Sequence, residues 1–414
     1  MKKKLSKNEW SWILYDVGNS AFILLVATII PIYLKTLVDE NSATVFMGYL
    51  TSICTLIVAI IGPILGAMSD SSKSKMPIFL SVALIGAVAC GLLSIPMHWL
   101  MFLIIFGIAK VGCSSSLIFY DAMLVDVTDE DRIDKVSTLG YALGYIGSCI
   151  PFLISLVLVL LSQTKNPIID FQLSVSIAFL INAVWWIVLT IPLVKNYRRR
   201  IENNKNISFK NTFNSLLSTI KEIAKTRHIL LYLIAFFFYI DAVYTIIDLS
   251  TAYGADLGFD TTGLLVALLI TQIVAFPCSI LFGILTNKFK INHLLLICIV
   301  AYFLISIVAV FMFYQWQFWL LAVMVGMFQG GIQALSRSYF TKIIPADRAA
   351  SYFSILDIFG KGSSALGTFL VALISDLTNN NHFGVIVLPI MLVIGLVLYI
   401  LADRSYKKQQ HLTK

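Results

Sequence analysis

Long apolar segments separated by short polar ones run along almost the whole chain. A helix needs about 20 mostly apolar residues to cross a lipid bilayer, and twelve segments reach that length. They cover residues 12–34, 44–68, 77–96, 99–125, 136–161 and 171–194, and then 228–251, 261–286, 292–314, 317–341, 350–374 and 384–402. A polar stretch at 195–227 separates the sixth segment from the seventh. The pattern predicts an all-α membrane protein with twelve transmembrane helices, six in each half.

Two elements of the first half recur in the second half. Asp131-Arg132, before the fifth segment, recurs as Asp347-Arg348 before the eleventh, and GAMSD at 66–70 recurs as GILTN at 283–287. The spacing is nearly the same in both cases, which favours duplication over coincidence. Two six-helix halves around a central site are typical of transporters that work by alternating access. We therefore predict two pseudo-symmetric six-helix bundles, at 1–194 and 228–414, joined by a basic cytoplasmic segment at 195–227.

The joining segment has a helical apolar pattern with lysines between the apolar positions. The apolar positions are Phe209, Phe213, Leu216, Leu217, Ile220 and Ile223. Such a pattern predicts an amphipathic helix that lies on the membrane surface. This helix could serve as a linker that covers the bundle, or as a regulatory or partner-binding element.

The composition also indicates a membrane protein. Hydrophobic residues make up 59% of the 414 residues and charged residues 13%, whereas about 25% of the residues in a soluble domain are charged. Lipid must cover this excess of apolar surface. The six cysteines all lie in apolar segments without a CxxC pair, which indicates small buried side chains rather than a disulfide framework or a zinc site.

Lysine and arginine are distributed unequally between the two sides of the predicted bundle. If both termini are cytoplasmic, the loops on the opposite side hold only Lys35 and Lys165. Positively charged loops remain in the cytoplasm, so both termini are predicted to be cytoplasmic. This topology explains the net charge of +8 without a nucleic-acid partner. The lysine-rich start, residues 1–8, lacks the cleavage site of a signal peptide, so we expect the first segment to be retained.

The loop after the second segment carries a known motif. The sequence GPILGAMSDSSKSK at 62–75 resembles the signature loop between helices 2 and 3 of the major facilitator superfamily. That signature has a glycine, an aspartate four residues later and then basic residues, which here are Gly66, Asp70, Lys73 and Lys75. Ser71 stands where the signature usually has an arginine. The resemblance implies a gating role for Asp70 and Lys73.

Three further stretches carry a more specific pattern. They are SWILYDVGNSAF (11–22), VSTLGYALGYIG (136–147) and GGIQALSRSYFTKIIP (330–345), the last followed by FGKGSSALG (359–367). These stretches resemble the vacuolar amino-acid effluxer family of the same superfamily and its bacterial relatives. The resemblance implies the major facilitator fold, in which helices 1, 4, 7 and 10 line a cavity and helices 3, 6, 9 and 12 face lipid. It also implies amino-acid efflux by a monomeric carrier, and the compact length is typical of members in bacterial plasma membranes.

Ionisable side chains lie inside several predicted segments, where each costs several kcal/mol unless it is paired or hydrated. They are Asp16, Lys110, Asp121, Asp241, Asp248, Arg337, Asp357 and Lys361. Segments 3, 6, 9 and 12 hold none away from their ends, which agrees with the lipid-facing positions that the resemblance implies. Each of these charges is therefore a candidate functional residue.

A first group of candidates would bind the solute. Lys110 lies near the middle of its segment, and we interpret it as the partner of a substrate carboxylate or of a coupling acid, against the alternative of a structural ion pair. Ser114 lies on the same helical face. The further candidates are Asn19, Tyr244, Gln329, Gln333 and Lys361. Hydrogen bonds between helices would explain the two glutamines equally well.

A second group would move protons or open and close the pathway. Asp241 is the main proton-coupling candidate because a carboxylate buried in a membrane is costly when charged, although a permanent ion pair with Lys110 or Lys361 explains it equally well. Asp357 is the second coupling candidate, against the alternative that it and Lys361, four residues further on, neutralise each other. The gating candidates are Asp16, Asp70, Lys73, Asp121 and Arg337, near the predicted cytoplasmic ends of their helices.

The sequence therefore predicts a secondary active transporter that works by alternating access, with proton-coupled export or exchange of a small polar solute such as an amino acid. A cation-coupled sugar symporter and a lipid or drug exporter of the same superfamily are the alternatives, and a non-transporting membrane sensor is the alternative of another class. The chain has no Walker sequence and no HExxH, so we predict no enzyme activity, no metal site and no cofactor. The expected partners are the solute, protons or another coupling ion, and the lipid bilayer.

Overall fold

The computed structural model describes residues 4–38, 40–70, 75–162, 164, 167–198, 209–259, 261–378 and 381–412. These residues form sixteen α-helices and no strand. The helices are α1 (Lys7–Ala27), α2 (Ile29–Leu37), α3 (Glu40–Asp70), α4 (Lys75–Leu92), α5 (Trp99–Ala122), α6 (Leu124–Val127), α7 (Ile133–Ser162), α8 (Phe171–Asn196), α9 (Phe209–Lys225), α10 (Arg227–Asp256), α11 (Thr261–Leu285), α12 (Ile291–Val310), α13 (Gln315–Ile343), α14 (Ala349–Thr378), α15 (Asn381–Val385) and α16 (Val387–Leu412). Short 3-10 turns at Glu130–Arg132 and Ala346–Arg348 precede α7 and α14, so the repeated Asp-Arg pair starts a long helix in each half of the sequence.

Eleven helices in the described part of the chain are long and apolar enough to span a membrane. The remaining predicted segment, 350–374, lies within α14, where Leu366–Ser375 forms an apolar stretch. The first predicted segment is divided between α1 and α2, because the helix breaks at Thr28 with φ −128° and ψ −70°. The all-α membrane class is therefore confirmed, whereas the cytoplasmic location of the termini stays a prediction.

Aliphatic side chains form an exposed stripe on each of α4, α8, α12 and α16. The exposed pairs include Leu84 and Val88, Leu180 and Val184, Ile297 and Leu304, and Ile390 and Val397. Spacings of four and seven residues place each pair on one face of its helix. Apolar surface of this extent is unfavourable in water, so lipid must cover these four helices.

The chain divides into two compact units. The first unit comprises Met1–Asp129 and Leu143–Ile207, and the second comprises Glu130–Ala142 and Ser208–Lys414. The start of α7 therefore belongs with the second unit, although the rest of that helix belongs to the first. The domain boundaries predicted from the sequence assign the whole of α7 to the N-terminal bundle, and they stay a prediction.

An aromatic cluster joins α1 to α5 in the core of the first unit. Trp12 stacks on Tyr120 with ring centroids 4.2 Å apart, and its Nε1 donates a hydrogen bond to the Tyr120 carbonyl at 2.8 Å. Tyr15 donates to Ser116 Oγ at 2.6 Å. All four side chains are buried. The tryptophan and tyrosine of the SWILYDVGNSAF stretch are therefore packing residues.

Helices α4 and α5 approach closely at two glycines. A Cβ on Gly112 would lie 2.6 Å from the Cα of Gly86, so Gly112→Ala would force the two backbones apart. We expect this substitution to destabilise the protein by about 1–3 kcal/mol. Gly91→Ala in α4 is the matched control, because its Cβ would meet Ala183 Cβ at an ordinary 3.4 Å and alanine favours a helix. Unfolding of both variants in detergent measures the difference, and equal midpoints would contradict the prediction.

Candidate functional site

Lys110 lies on α5 in the first unit and is half-buried. Its Nζ donates a hydrogen bond to Thr51 Oγ1 on α3 at 3.2 Å. Ser114, one turn further along α5, is also half-buried. The first unit thus presents an ammonium group and a hydroxyl on one partly exposed helical face. Sequence reasoning missed Thr51, because a threonine in a long apolar helix is not distinguished by its position.

Asp16, Asn19 and Asp121 are the other candidates of the first unit. Asp16 is buried on α1, and a Cβ on Gly144 would lie 3.4 Å from its Oδ2, so α7 packs closely beside this carboxyl. Asn19 is completely buried, and neither of its amide atoms has a hydrogen-bond partner among the described residues. Asp121 is half-buried near the end of α5. A solute can therefore reach Asn19 only after a movement of the helices.

Asp241 occupies the middle of α10 in the second unit and has no exposed surface. Its Oδ1 accepts hydrogen bonds from Thr245 Oγ1 at 3.3 Å and from the backbone N–H of Gly367 on α14 at 3.2 Å. Its Oδ2 has no hydrogen-bond partner in the described part of the chain. Gly367 permits this contact, because a Cβ there would lie 2.5 Å from Asp241 Oδ1.

The remaining candidates of the second unit lie on α10, α13 and α14. Gln329 is buried, and its Oε1 lacks a hydrogen-bond partner among the described residues. Gln333, Tyr244 and Asp357 are half-buried. Three candidate side chains lie outside the described residues, so their roles stay predictions; these are Asp70, Lys73 and Lys361.

One cavity of about 600 Å³ lies within the second unit and is lined by residues of α10 to α16. Gln329 is part of its wall, and so is Thr245, which donates to Asp241. Gln329 and the hydrogen-bond donor of Asp241 therefore line the same cavity, although they lie on different helices.

Arg337, in the LSRS sequence of α13, is buried and holds the start of α7. Its Nε donates to Ser137 Oγ and its Nη2 to the Ser137 carbonyl, both at 3.0 Å. The guanidinium lies 4.5 Å from the ring centroid of Tyr141. Ser137 Oγ in turn donates to the Ala334 carbonyl at 2.9 Å. The LSRS and GYALGY sequences, which are far apart in the chain, are thus in direct contact.

A second contact between α7 and α13 lies one turn away. Lys342 Nζ is 2.7 Å from Asp134 Oδ2, and Ser338 Oγ donates to Asp134 Oδ1. Sequence reasoning missed Asp134 and Lys342 because they lie outside the predicted segments, and Ser137 because a serine in a helix is not distinguished by its position. The available signal was the helical spacing of Asp134, Ser137 and Tyr141 on one face.

Lys75, the last base of the signature loop, forms a buried ion pair in the first unit. Its Nζ lies 2.8 Å from Asp126 Oδ2, and the two side chains are only 3% and 1% exposed. Tyr197 donates to the same oxygen at 2.6 Å. Sequence reasoning missed Asp126, because it lies just after the fourth apolar segment and only charges inside the segments were selected as candidates. The first residue of α4 is therefore anchored to α6, and Tyr197 at the end of α8 shares the same carboxylate.

The joining helix α9 belongs to the second unit and forms an ion pair within it. Arg348 Nη2 lies 2.5 Å from Glu222 Oε2. Burial lowers the pKa of Arg348, but the hydrogen bond and the charge of Glu222 outweigh this effect and raise it. The guanidinium thus remains charged, and it ties α9 to the turn before α14.

The helix arrangement and the buried charges define a class of protein. The chain is similar to the solved structure of a Major Facilitator Superfamily (MFS) transporter, FucP, in the outward conformation, with a TM-score of 0.74 and 14% identity over 96% of this chain and 97% of that chain. The chain thus has the fold of the major facilitator transporters.

The family follows from sequence relatives. The family model described as vacuole effluxer Atg22 like matches residues 40–412. The chain is 41% identical to the uncharacterized MFS-type transporter YxiO of Bacillus subtilis (strain 168), over 96% of this chain and 95% of YxiO. It is 26% identical to autophagy-related protein 22 of Kluyveromyces lactis, over 71% of this chain and 64% of that protein. The chain belongs to the Atg22-like family of major facilitator transporters, and its bacterial relative supports a bacterial plasma membrane location.

Proposed function

We propose that the protein exports or exchanges a small polar solute, such as an amino acid, by alternating access coupled to protons. The main support for this proposal is the environment of the Asp241 carboxyl. This carboxyl is completely buried, and one of its oxygens has no partner among the described residues. Ionisable side chains are rare in membrane-spanning helices, and where one occurs it is a functional candidate.

The surroundings of Asp241 suit a group that gains and loses a proton. The hydroxyl of Thr245 and the N–H of Gly367 stabilise charge on Oδ1, whereas burial makes the anion costly. A proton on Oδ2 would remove that charge without displacing either hydrogen-bond donor. Asp241 can therefore change its charge while the packing of α10 against α14 is retained. Asp357, half-buried on α14, is the second proposed coupling group.

Lys110 supports a solute that carries a carboxylate. Its ammonium group is positioned by Thr51 and remains partly exposed, so an anionic group can approach it. Hydrogen bonds between an ammonium and a carboxylate are about twice as strong as neutral ones. The family description, vacuole effluxer, supports export as the direction. We propose that Ser114 donates a further hydrogen bond to the same solute.

Alternating access requires a gate that separates, and the contact between α7 and α13 fits that role. Arg337 holds Ser137 and Tyr141, and Lys342 holds Asp134. We propose that these bonds close the predicted cytoplasmic side and break when it opens. Helices packed in this way have discrete arrangements rather than a continuous range.

Transport into proteoliposomes of radiolabelled amino acids, under an imposed pH gradient, tests the proposal. Asp241→Asn keeps the size of the side chain but cannot lose a proton. We expect it to retain exchange of labelled for unlabelled solute, which needs no net proton movement, and to lose accumulation driven by the gradient. The pair of measurements separates loss of coupling from loss of folding.

Asp248→Asn is the matched control. Asp248 was a candidate from the sequence, but it lies two turns further along α10 and its side chain is exposed, unlike that of Asp241. We expect this variant to accumulate solute as the wild type does. Gradient-driven accumulation by Asp241→Asn at the wild-type level would rule out Asp241 as the coupling group. Absence of both accumulation and exchange for every amino acid, from folded wild-type protein, would remove the amino-acid assignment.

A further inference from the structure

The wall of the cavity in the second unit is mainly apolar, which does not suit the polar solute of the proposed function. Its walls are mainly aliphatic and aromatic, with residues such as Leu268, Phe318, Leu321 and Val371. Among the described residues that line it, none is charged. A zwitterion or an ion would lose its hydration there without compensation, so the polar solute of the proposed function does not fit this space.

Two glutamine side chains in the cavity wall have a carbonyl oxygen that receives no hydrogen bond from the described residues. Gln329 on α13 is 6% exposed, and its Oε1 has no partner in the described part of the chain. The Oε1 of Gln272 on α11 is also buried without a partner there. Both residues line the cavity. A buried acceptor without a donor costs about 1–3 kcal/mol, so a molecule that supplies an N–H or O–H would relieve that cost.

The nearby hydroxyl of Thr271 is already engaged. It donates to the carbonyls of Ala267 at 2.9 Å and Ala322 at 3.1 Å. In this part of the cavity the two glutamine oxygens are therefore the acceptors that a ligand could satisfy, and they require an N–H or O–H donor. A volume of about 600 Å³ lies within the range of small-molecule sites, which are mostly apolar with a few polar groups that fix orientation.

We propose that this cavity is a binding site for an uncharged, mainly apolar molecule that carries a hydrogen-bond donor, such as a small phenol or alcohol. The apolar part of the ligand contacts the aliphatic and aromatic wall, and its donor binds Gln329 Oε1 or Gln272 Oε1. The site lies entirely within the second unit. It does not depend on Lys110 or on proton coupling, so it can exist whether or not the proposed function is correct.

Photolabelling with 3-azidophenol, which is uncharged and carries one O–H donor, tests the site. The purified full-length protein is irradiated with the probe, and labelled peptides are identified by mass spectrometry. We expect the label on the segments of α10, α11 and α13 that line the cavity. Unlabelled phenol should compete about fivefold better than benzene, which corresponds to one neutral hydrogen bond.

Two variants locate the label and its donor. Ala267→Phe fills the cavity from a position that is 1% exposed and should abolish labelling. Gln329→Leu removes one acceptor and retains the space, so phenol should lose most of its advantage over benzene. Gln333→Leu, one turn further along α13 and outside the cavity wall, is the control and should retain that advantage.

The outcomes are distinct from those of the transport assay, because they report binding alone. If Ala267→Phe does not fold, Gln329→Leu and its control still decide the case. Labelling that is spread over lipid-facing helices, with equal competition by phenol and benzene in the wild type, would overturn the proposal. That result would mean that the cavity does not bind the phenol.

Discussion

Arg337→Met is expected to release the start of α7 from α13 and to reduce transport at least tenfold. The substitution removes two hydrogen bonds from a buried guanidinium to Ser137, both 3.0 Å long, and its contact with Tyr141. Buried charge-assisted hydrogen bonds contribute about 1.5–3 kcal/mol each. A net loss of about 3 kcal/mol would shift a two-state equilibrium about a hundredfold. A transporter biased in this way spends little time with the proposed cytoplasmic gate closed.

Hydrogen–deuterium exchange and solute flux measure the two parts of this expectation. Amides at 130–142 should exchange faster in Arg337→Met, while those of the aromatic cluster around Trp12 and Tyr120 should not change. Arg337→Lys provides the graded comparison, because lysine retains the charge but cannot hold both acceptors of Ser137 in the same planar geometry. Its amide exchange at 130–142 and its solute flux should lie between those of Arg337→Met and those of the wild type. Wild-type exchange and wild-type flux in Arg337→Met would refute the gating role.

The contact between α7 and α13 shows how far sequence reasoning reaches. The sequence identified Arg337 as a buried charge and singled out the LSRS and GYALGY stretches. It did not show that these stretches contact each other, because hydrophobic periodicity describes one helix at a time. Ser137 and Asp134 are ordinary residues at the start of a helix until α13 is placed beside them. The pairing is a property of tertiary packing.

The solute candidates of the first unit show a second limit. Lys110 was interpreted as a partner for a carboxylate, and the structure adds Thr51 as its hydrogen-bond acceptor. Asn19 was singled out on the first helix, yet it is completely buried in this arrangement. Helical spacing gives the face on which a residue lies. It does not give the depth at which neighbouring helices cover that face.

The two glutamines on α13 likewise occupy different environments that helical spacing does not distinguish. Gln329 and Gln333 are one turn apart and were grouped together by spacing, but only Gln329 lines the cavity. The apolar character of the surrounding segments was evident from the sequence. The empty volume between the seven helices α10 to α16 was not, because it depends on how well their side chains fill the space.

Lys75→Met is expected to lower the free energy of unfolding by about 3–5 kcal/mol, because removal of one member of a buried ion pair leaves the other charge uncompensated. Lys75 and Asp126 are 3% and 1% exposed at a distance of 2.8 Å. The hydrogen bond from Tyr197 to Asp126 remains, but a neutral hydroxyl cannot replace an ammonium. Denaturation in mixed detergent micelles measures the change.

Two comparisons make this expectation specific. Lys407→Met breaks an ion pair of 2.5 Å with Asp403, but Lys407 is 48% exposed, so its effect should be close to zero. Lys75→Met combined with Asp126→Leu should recover much of the lost stability, because an apolar pair of similar volume avoids the cost of burying charge. A single Lys75→Met variant as stable as Lys407→Met would show that the pair is not desolvated. Recovery in the double variant would identify the isolated charge on Asp126, rather than lost packing, as the source of the instability. It would also show that an apolar contact can replace the charge pair that holds the start of α4 against α6.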